Sequence, residues 1–299
     1  MRELRGRIAI VTGASRGIGV YIARALAERG VDLALAARDA QQLEAVRDEV
    51  VSRGVRAIAV PTDVTDDAAL DELVRRCESE LGPPDLLVNN AGIEIAAAYE
   101  ELSVEEIDRF LAVNLRAPML LTHRVLPGMV ARGRGHVVNI ASIAGLAATA
   151  LGESYAATKH GIVGFSRSLR ASERVMNSGV SASAVCPGFV SEVGMYDRFE
   201  DEGGVGSPLL MGTTPPDKVA RAVVRAIEKD LPEVVVNPGF LRGFLALGIL
   251  LPRVFEWVTQ RIEAHRVFLA TAIARGRGRK EPVSGAVEPS EPAGAQEAS

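Results

Sequence analysis

The sequence predicts an α/β fold built on a doubly wound parallel sheet of seven strands. Three observations carry the prediction. Short runs rich in Val, Ile, Leu and Ala alternate with helical patterns as far as residue 238, and steady strand–helix alternation implies parallel strands joined by helices. A glycine-rich turn follows the first strand and opens the first helix,. The chain has 299 residues, 47% of them hydrophobic, enough for one large domain with a full core,.

The first strand is Arg7 to Thr12, a buried β-branched run,. Glycines follow at 13, 17 and 19 in Thr-Gly-Ala-Ser-Arg-Gly-Ile-Gly, and a helical pattern runs from there to Arg29. Strand, glycine turn, helix is the context of a dinucleotide-phosphate loop. Gly13 permits the tight turn, and missing side chains let backbone N–H groups reach a pyrophosphate at the helix N-terminus. The spacing is G-x-x-x-G-x-G rather than the commoner G-x-G-x-x-G. An ordinary βα turn is the bland alternative.

Val31 to Ala37 is the second strand. A site selective for NAD places an acid at this strand's end to bond the ribose 2′-hydroxyl. Here the end is Ala37, followed by Arg38, and Arg16 lies in the glycine turn. Two guanidinium groups suit a ribose 2′-phosphate, although Arg38 also reads as a solvated helix-start residue. Asp39 reads as the cap of the next helix, Ala40 to Arg53,. A strand at Val55 to Val60 leads to Asp63-Val64. Asp63 either caps the following turn or meets an adenine amino group. A helix from Asp66 to Leu81 and a strand from Asp85 to Asn89 come next, then the small-residue corner Asn90-Ala91-Gly92,.

Ser103 and Glu106 form a capping box for a helix,. Asn114 falls inside that helical stretch, where its amide competes for backbone bonds. It is either a solvent-facing residue or a helix-breaking one that holds a water near the reacting groups. His136 to Ala141 is the fifth strand, with Ser142 at its end. A helix over Ser154 to Ser172 carries Tyr155 and Lys159 at i and i+4, on one face,. An ammonium beside a phenol favours the phenolate, so the tyrosine pKa is expected to fall. Such a tyrosine exchanges a proton with a carbonyl or alcohol oxygen, and the Ser142 hydroxyl holds the same oxygen. Alone, Tyr-x-x-x-Lys is a weak signal that any surface helix can carry.

The sixth strand, Gly179 to Cys186, ends in Pro187-Gly188-Phe189-Val190. Residues 191–212 show no regular pattern and read as a mobile substrate loop. Thr214 is expected to cap a helix whose first turn holds prolines, and Glu233 to Val236 is the seventh strand.

Taken together and in order, these motifs resemble those of the short-chain dehydrogenase/reductase family over roughly residues 5 to 238. They are Thr12 to Gly19, Asp63-Val64, Asn89 to Gly92, Asn114, Ser142, Tyr155-x-x-x-Lys159 and Pro187-Gly188. The resemblance implies a Rossmann-type sheet, a nicotinamide cofactor and a catalytic set of Asn114, Ser142, Tyr155 and Lys159. It implies cofactor contacts from Gly13, Ser15, Arg16, Gly17, Ile18 and Gly19, and from Arg38, Asp63 and Val64. Asn90, Ala91, Gly92, Tyr155, Lys159, Pro187, Gly188 and Val190 complete that set. The Arg16 and Arg38 pattern looks like NADP(H)-preferring members, and the family implies a homodimer or homotetramer. Members often place a threonine shortly after Pro-Gly to bond the carboxamide, and here Ser191 or Glu192 stands in that region.

The expected activity is NADP(H)-dependent interconversion of a carbonyl and a secondary alcohol on a hydrophobic small molecule. The alternatives are a catalytically silent dinucleotide sensor or scaffold, and a membrane-associated lipid or steroid dehydrogenase. The net charge of −4 gives no electrostatic case for nucleic acid,. Cys77 and Cys186 form no metal or redox motif, which suits a reducing cytoplasm,. The start reads as lacking a signal peptide, and no apolar run is long enough to span a bilayer.

The domain is expected to cover 1–238, with an apolar, helical extension over 239–275 and a disordered Pro/Glu/Ala/Gly/Ser tail over 276–299,. The apolar run Phe244 to Leu251 is interrupted by Pro252 and flanked by Arg242, Arg253 and Trp257. Residues 239–258 either touch a membrane surface or cover the protein's own pocket or oligomer interface.

Overall fold

A computed structural model describes residues 3–191, 193, 212–237, 243, 245, 248, 250–261, 268–269 and 272–273. Seven strands form one parallel sheet: β1 (Ile8–Thr12), β2 (Asp32–Ala37), β3 (Ala57–Pro61), β4 (Leu86–Asn89), β5 (Gly135–Ile140), β6 (Val180–Pro187) and β7 (Glu233–Val236). Their spatial order is β3-β2-β1-β4-β5-β6-β7. In register, Ile10 lies beside Ala34 on one side and Leu87 on the other. The order reverses between β1 and β4, and in open α/β sheets the crevice at such a reversal is where ligands sit.

The helices are α1 (Ile18–Ala27), α2 (Ala40–Val51), α3 (Asp67–Glu80), α4 (Val104–Leu111), α5 (Ala117–Ala131), α6 (Glu153–Val175), α7 (Pro216–Glu228) and α8 (Pro252–Arg261). Strand side chains alternate between two faces. Ala9, Val11, Leu33 and Leu35 pack with Ile22 and Leu26 of α1 and Val219 and Val223 of α7. Ile10, Ala34 and Ala36 pack on the other face with Leu70 and Leu73 of α3 and Leu121 and Val125 of α5. Both faces are apolar and covered, as a parallel sheet requires.

Local signals set the helix starts. The Asp39 carboxylate accepts from the Gln42 N–H at 3.0 Å and opens α2. The Asp66 carboxylate accepts from the Ala68 N–H at 2.9 Å and opens α3. Ser103 and Glu106 form the reciprocal box at α4. One expectation is corrected: Thr214 does not cap α7. Pro215 occupies that position and Pro216 is the first helical residue. Thr214 is extended instead, its N–H donating to Phe189 O at 2.8 Å and its carbonyl accepting from Ser191 N at 3.1 Å. A residue before proline is biased toward extended backbone, and this pairing claims Thr214 for the turn that follows β6.

Most of the substrate loop expected at 191–212, Glu192 included, lies outside the described residues, as does the tail at 276–299. Much of 239–258 does too. No helix among the described residues is long and apolar enough to cross a membrane.

Candidate active site

The site is assembled where β1, β4 and β5 end. Gly13 has φ 65° and Gly17 has φ 61°, both in the left-handed region that favours glycine,. Gly17 caps α1 with no side-chain bond to the first helical N–H groups, so these donors face an open crevice,. Gly19 is the second residue of α1, where a β-carbon would run into the Gly13 carbonyl. Its role is to let α1 seat on the turn, and it does not line the cavity.

A threonine to which sequence reasoning gave no role of its own ties the two strand ends together. Thr12 Oγ1 accepts from the Asn90 N–H at 3.0 Å and the Ala91 N–H at 3.1 Å. The Asn90 amide in turn donates to Thr12 O at 3.0 Å and Gly13 O at 3.1 Å. The only signal in sequence was a hydroxyl at the end of an apolar strand.

Ser142 leaves β5 and starts a short 3₁₀ turn, its Oγ accepting from the Ala144 N–H at 3.2 Å. Gly145 in that turn lies so close to the Lys159 backbone carbonyl that a side chain would not fit. This close approach brings Ser142 to Tyr155 on α6, near enough for its hydroxyl to act on the phenol. Lys159 Nζ donates to Ile140 O at 2.9 Å and stands 5.5 Å from the centre of the Tyr155 ring.

Both groups are buried, at 6% and 4% exposure. Burial drives the Tyr155 pKa upward, and the Glu94 charge adds to that rise while the Ser142 hydroxyl opposes it. Burial lowers the Lys159 pKa to about 8, with Glu94 and Cys186 pulling the other way. The expectation of a lowered tyrosine pKa is therefore corrected for the protein alone. Desolvation of the phenolate outweighs what the Ser142 hydroxyl returns,.

Asn114 lies in a π-helical turn, Ala112–Arg116, between α4 and α5. Such a turn breaks the regular helical bonding, as the asparagine suggested. Its side chain is buried: Oδ1 accepts from Ile93 N at 2.8 Å, and Nδ2 donates to Ile93 O at 2.9 Å and Thr158 Oγ1 at 3.3 Å. Thr158 Oγ1 donates to Tyr155 O at 2.7 Å. Asn114 thus clamps the Ile93 backbone to α6, and its side chain does not line the cavity.

One cavity of about 1750 Å³ runs along this crevice. Gly13, Ser15, Arg16, Gly17 and Ile18 line one end, with Arg38, Asp63 and Val64 beside them. Asn90, Ala91 and Gly92 line its middle wall, and Ser142, Tyr155, Lys159, Pro187, Gly188 and Val190 line the rest. Arg16 and Arg38 are exposed and form no ion pair among the described residues. Asp63 accepts from Thr65 N at 2.9 Å and Thr65 Oγ1 at 2.8 Å, so it shapes its own turn. These bonds hold its carboxyl below the usual range, with help from the nearby Arg38 and Arg109 charges. Open donors at the α1 N-terminus, glycines beside them and a long cavity leading to Lys159 fit a nicotinamide dinucleotide.

Sequence reasoning missed Glu94 on this wall, and offered the extension as a pocket cover without naming the side chains that line it. Glu94 follows the Asn90–Gly92 corner and lies in the field of Tyr155 and Lys159. Phe255, Glu256, Thr259 and Gln260 of α8, with Phe268 beyond it, also line the cavity. The Phe268 ring stands 6.0 Å from that of Phe189, and Leu151 packs beside the pair.

The chain's relatives agree with this geometry. The short chain dehydrogenase family profile matches residues 7–203. A ketoacyl reductase, HetN, of Nostoc is 39% identical over 266 residues, covering 86% of this chain and 91% of its own. A D-beta-hydroxybutyrate dehydrogenase of Cupriavidus necator is 38% identical over 189 residues, covering 62% of this chain and 72% of its own. The solved structure of an actinorhodin polyketide ketoreductase with NADPH superposes with a TM-score of 0.70 at 31% identity, covering 79% of this chain and 97% of that one. A metagenomic short-chain oxidoreductase in complex with NADP gives 0.66 at 34% identity, covering 79% and 98%. With the parallel sheet, the glycine turn and the Ser142–Tyr155–Lys159 arrangement in hand, this chain belongs to the short-chain dehydrogenase family and is an oxidoreductase acting between an alcohol and a carbonyl.

Proposed function

We propose that the protein is an NADP(H)-dependent enzyme that interconverts a carbonyl and a secondary alcohol on a hydrophobic small molecule. The observation that carries the reading is the convergence of Ser142, Tyr155 and Lys159 on one wall of a cavity whose far end is the glycine turn. Hydride comes from the bound nicotinamide, or returns to it. The chain supplies the rest. The Ser142 hydroxyl and the Tyr155 hydroxyl hold the substrate oxygen, and Tyr155 gives it a proton or takes one. Lys159 favours the deprotonated state of Tyr155, and from the cavity wall its ammonium would hold the ribose hydroxyls of a bound dinucleotide,. Asn114 acts as a positioning residue through Ile93 and Thr158.

Arg16 and Arg38 support the preference for a 2′-phosphate. Both sit at the cavity end bounded by the glycine turn, and β2 ends at Ala37 rather than at an acid. A hydrophobic substrate is supported by Phe189, Phe255 and Phe268, which face the opposite part of the cavity. The last two belong to the extension, which on this reading covers the protein's own pocket. The NADP- and NADPH-bound structures match 79% of this chain and almost all of theirs, so about a fifth of this chain is additional to them.

The test is a screen of apolar ketones and alcohols read by NADPH absorbance, with Tyr155→Phe as the paired control. Turnover is expected to fall at least about a hundredfold in that variant while cofactor affinity is kept. A variant retaining most of its activity would overturn the assignment.

A further inference from the structure

The two sides of α8 differ in chemistry. Pro252, Phe255, Glu256, Thr259 and Gln260 line the cavity. Arg253, Val254, Trp257 and Arg261 fall on the opposite side by helical spacing, and all four are exposed,. Leu250 and Leu251, just before the helix, are exposed as well. The guanidinium carbon of Arg261 stands 5.5 Å from the centre of the Trp257 ring. The one acid of α8, Glu256, is on the cavity side, so the outer side joins apolar side chains to arginines alone. An exposed apolar cluster edged by charge marks an interaction surface. A tryptophan among aliphatic residues with arginines beside it is the composition of a helix that lies in a membrane interface.

The charge of the chain chooses the occupant. Over residues 239–280 the sequence carries eight arginines and lysines against two glutamates, in a chain whose net charge is −4. The rest of the protein is therefore acidic, and an anionic surface attracts this end of it. A second copy fits less well, because a two-fold contact sets a patch against itself and brings arginines to arginines. Lipid phosphates answer arginine directly. At ten residues α8 is too short to span a bilayer, so it lies along the surface,. We infer that the outer side of α8, with Leu250 and Leu251, docks the protein on an anionic lipid surface. Val254 and Trp257 enter the headgroup region, and Arg253 and Arg261 meet the phosphates. α8 then stands between the bilayer and the cavity. The inference does not depend on the proposed activity.

Trp257 is the chain's single tryptophan, so its emission reports this face and no other. The full-length protein is titrated with vesicles of phosphatidylcholine, alone and mixed in equal parts with phosphatidylglycerol, and both emission and pelleting are followed. With the anionic vesicles the emission is expected to move to the blue and the protein to pellet, less so as salt is added. Arg253→Gln and Arg261→Gln should each weaken vesicle binding about fivefold at low salt. Val254→Asp should abolish the blue shift. Unchanged NADPH affinity in the three variants shows that the fold is kept. No emission shift with either vesicle, equal binding to both, or pelleting that leaves Trp257 unshifted and ignores Val254→Asp overturns the inference. A blue shift on concentrating the protein without lipid, with a larger hydrodynamic size, puts a second copy on this face and overturns it too.

Discussion

Lys159 stands 5.5 Å from the centre of the Tyr155 ring, with its ammonium donating to Ile140 O rather than to the phenol. The pair is pre-placed but buried, and burial opposes charge on both members. A bound cofactor and substrate therefore meet a lysine that is held and a tyrosine that keeps its proton at neutral pH. This ground state favours proton donation, the direction of carbonyl reduction.

Stability should report the buried lysine. Its folded pKa, about 8, lies below the ordinary lysine value of 10.5, so between those values the unfolded chain binds more protons than the folded one. Stability then rises with pH across that window, by at most about 1.4 kcal/mol per unit. Lys159→Met removes the titration. Urea unfolding of the cofactor-free protein from pH 7 to 10 should show wild type gaining on the variant as pH rises. Parallel pH profiles would show that the ammonium is not held at a desolvation cost.

Arg38→Ala should weaken NADP(H) binding about tenfold or more and leave NAD(H) nearly unchanged. A charge-assisted bond to a phosphate contributes roughly 1.5–3 kcal/mol, and only one of the two cofactors carries that phosphate. Fluorescence titration of both cofactors measures this. A wild type that binds NAD(H) as tightly as NADP(H) would remove the basis for the preference.

Acid should loosen the sheet through His136. The ring is buried on β5 and bonds Ser183 Oγ at 2.7 Å, while Ser183 donates to Leu231 O at 2.5 Å. The serine hydrogen is thus committed, and His136 Nε2 is the donor,. Burial lowers its pKa from 6.5 to about 4. Between these values the unfolded state takes up the proton, so stability falls as pH drops from 6.5 toward 4, by up to about 3 kcal/mol. His136→Gln should flatten that part of the profile in a thermal melt. An unchanged slope would assign the acid lability to other groups.

Truncation after Asn237 should raise KM for apolar substrates at least tenfold while cofactor binding persists, because Phe255 and Phe268 leave the cavity wall. On the outer side of α8, Val254 is 44% and Trp257 59% exposed, and Leu250 just before the helix is 75% exposed. Liposome pelleting and oligomer size of the full chain and the truncation separate the two remaining roles of that face. Unchanged KM for every apolar substrate would remove the extension from the pocket.

The sequence by itself determined the sheet, the helix starts and most of the cavity wall. Those features are local. Alternating apolar runs specify strands, Asp39, Asp66 and Ser103 cap through bonds two or three residues away, and glycine is demanded by the backbone of its own turn. The i, i+4 spacing of Tyr155 and Lys159 is likewise fixed by one helix. The tertiary structure decided what depends on distant chain. Asn114 became a clamp because Ile93 and Thr158 come to it. Thr214 lost its expected cap because the Phe189–Ser191 backbone pairs with it. The Tyr155 pKa moved upward because burial is a property of the whole fold, whereas spacing reveals only the neighbouring ammonium,. Glu94 and α8 joined the site for the same reason. No periodicity marks a side chain whose partner across the cavity lies on a distant stretch of chain.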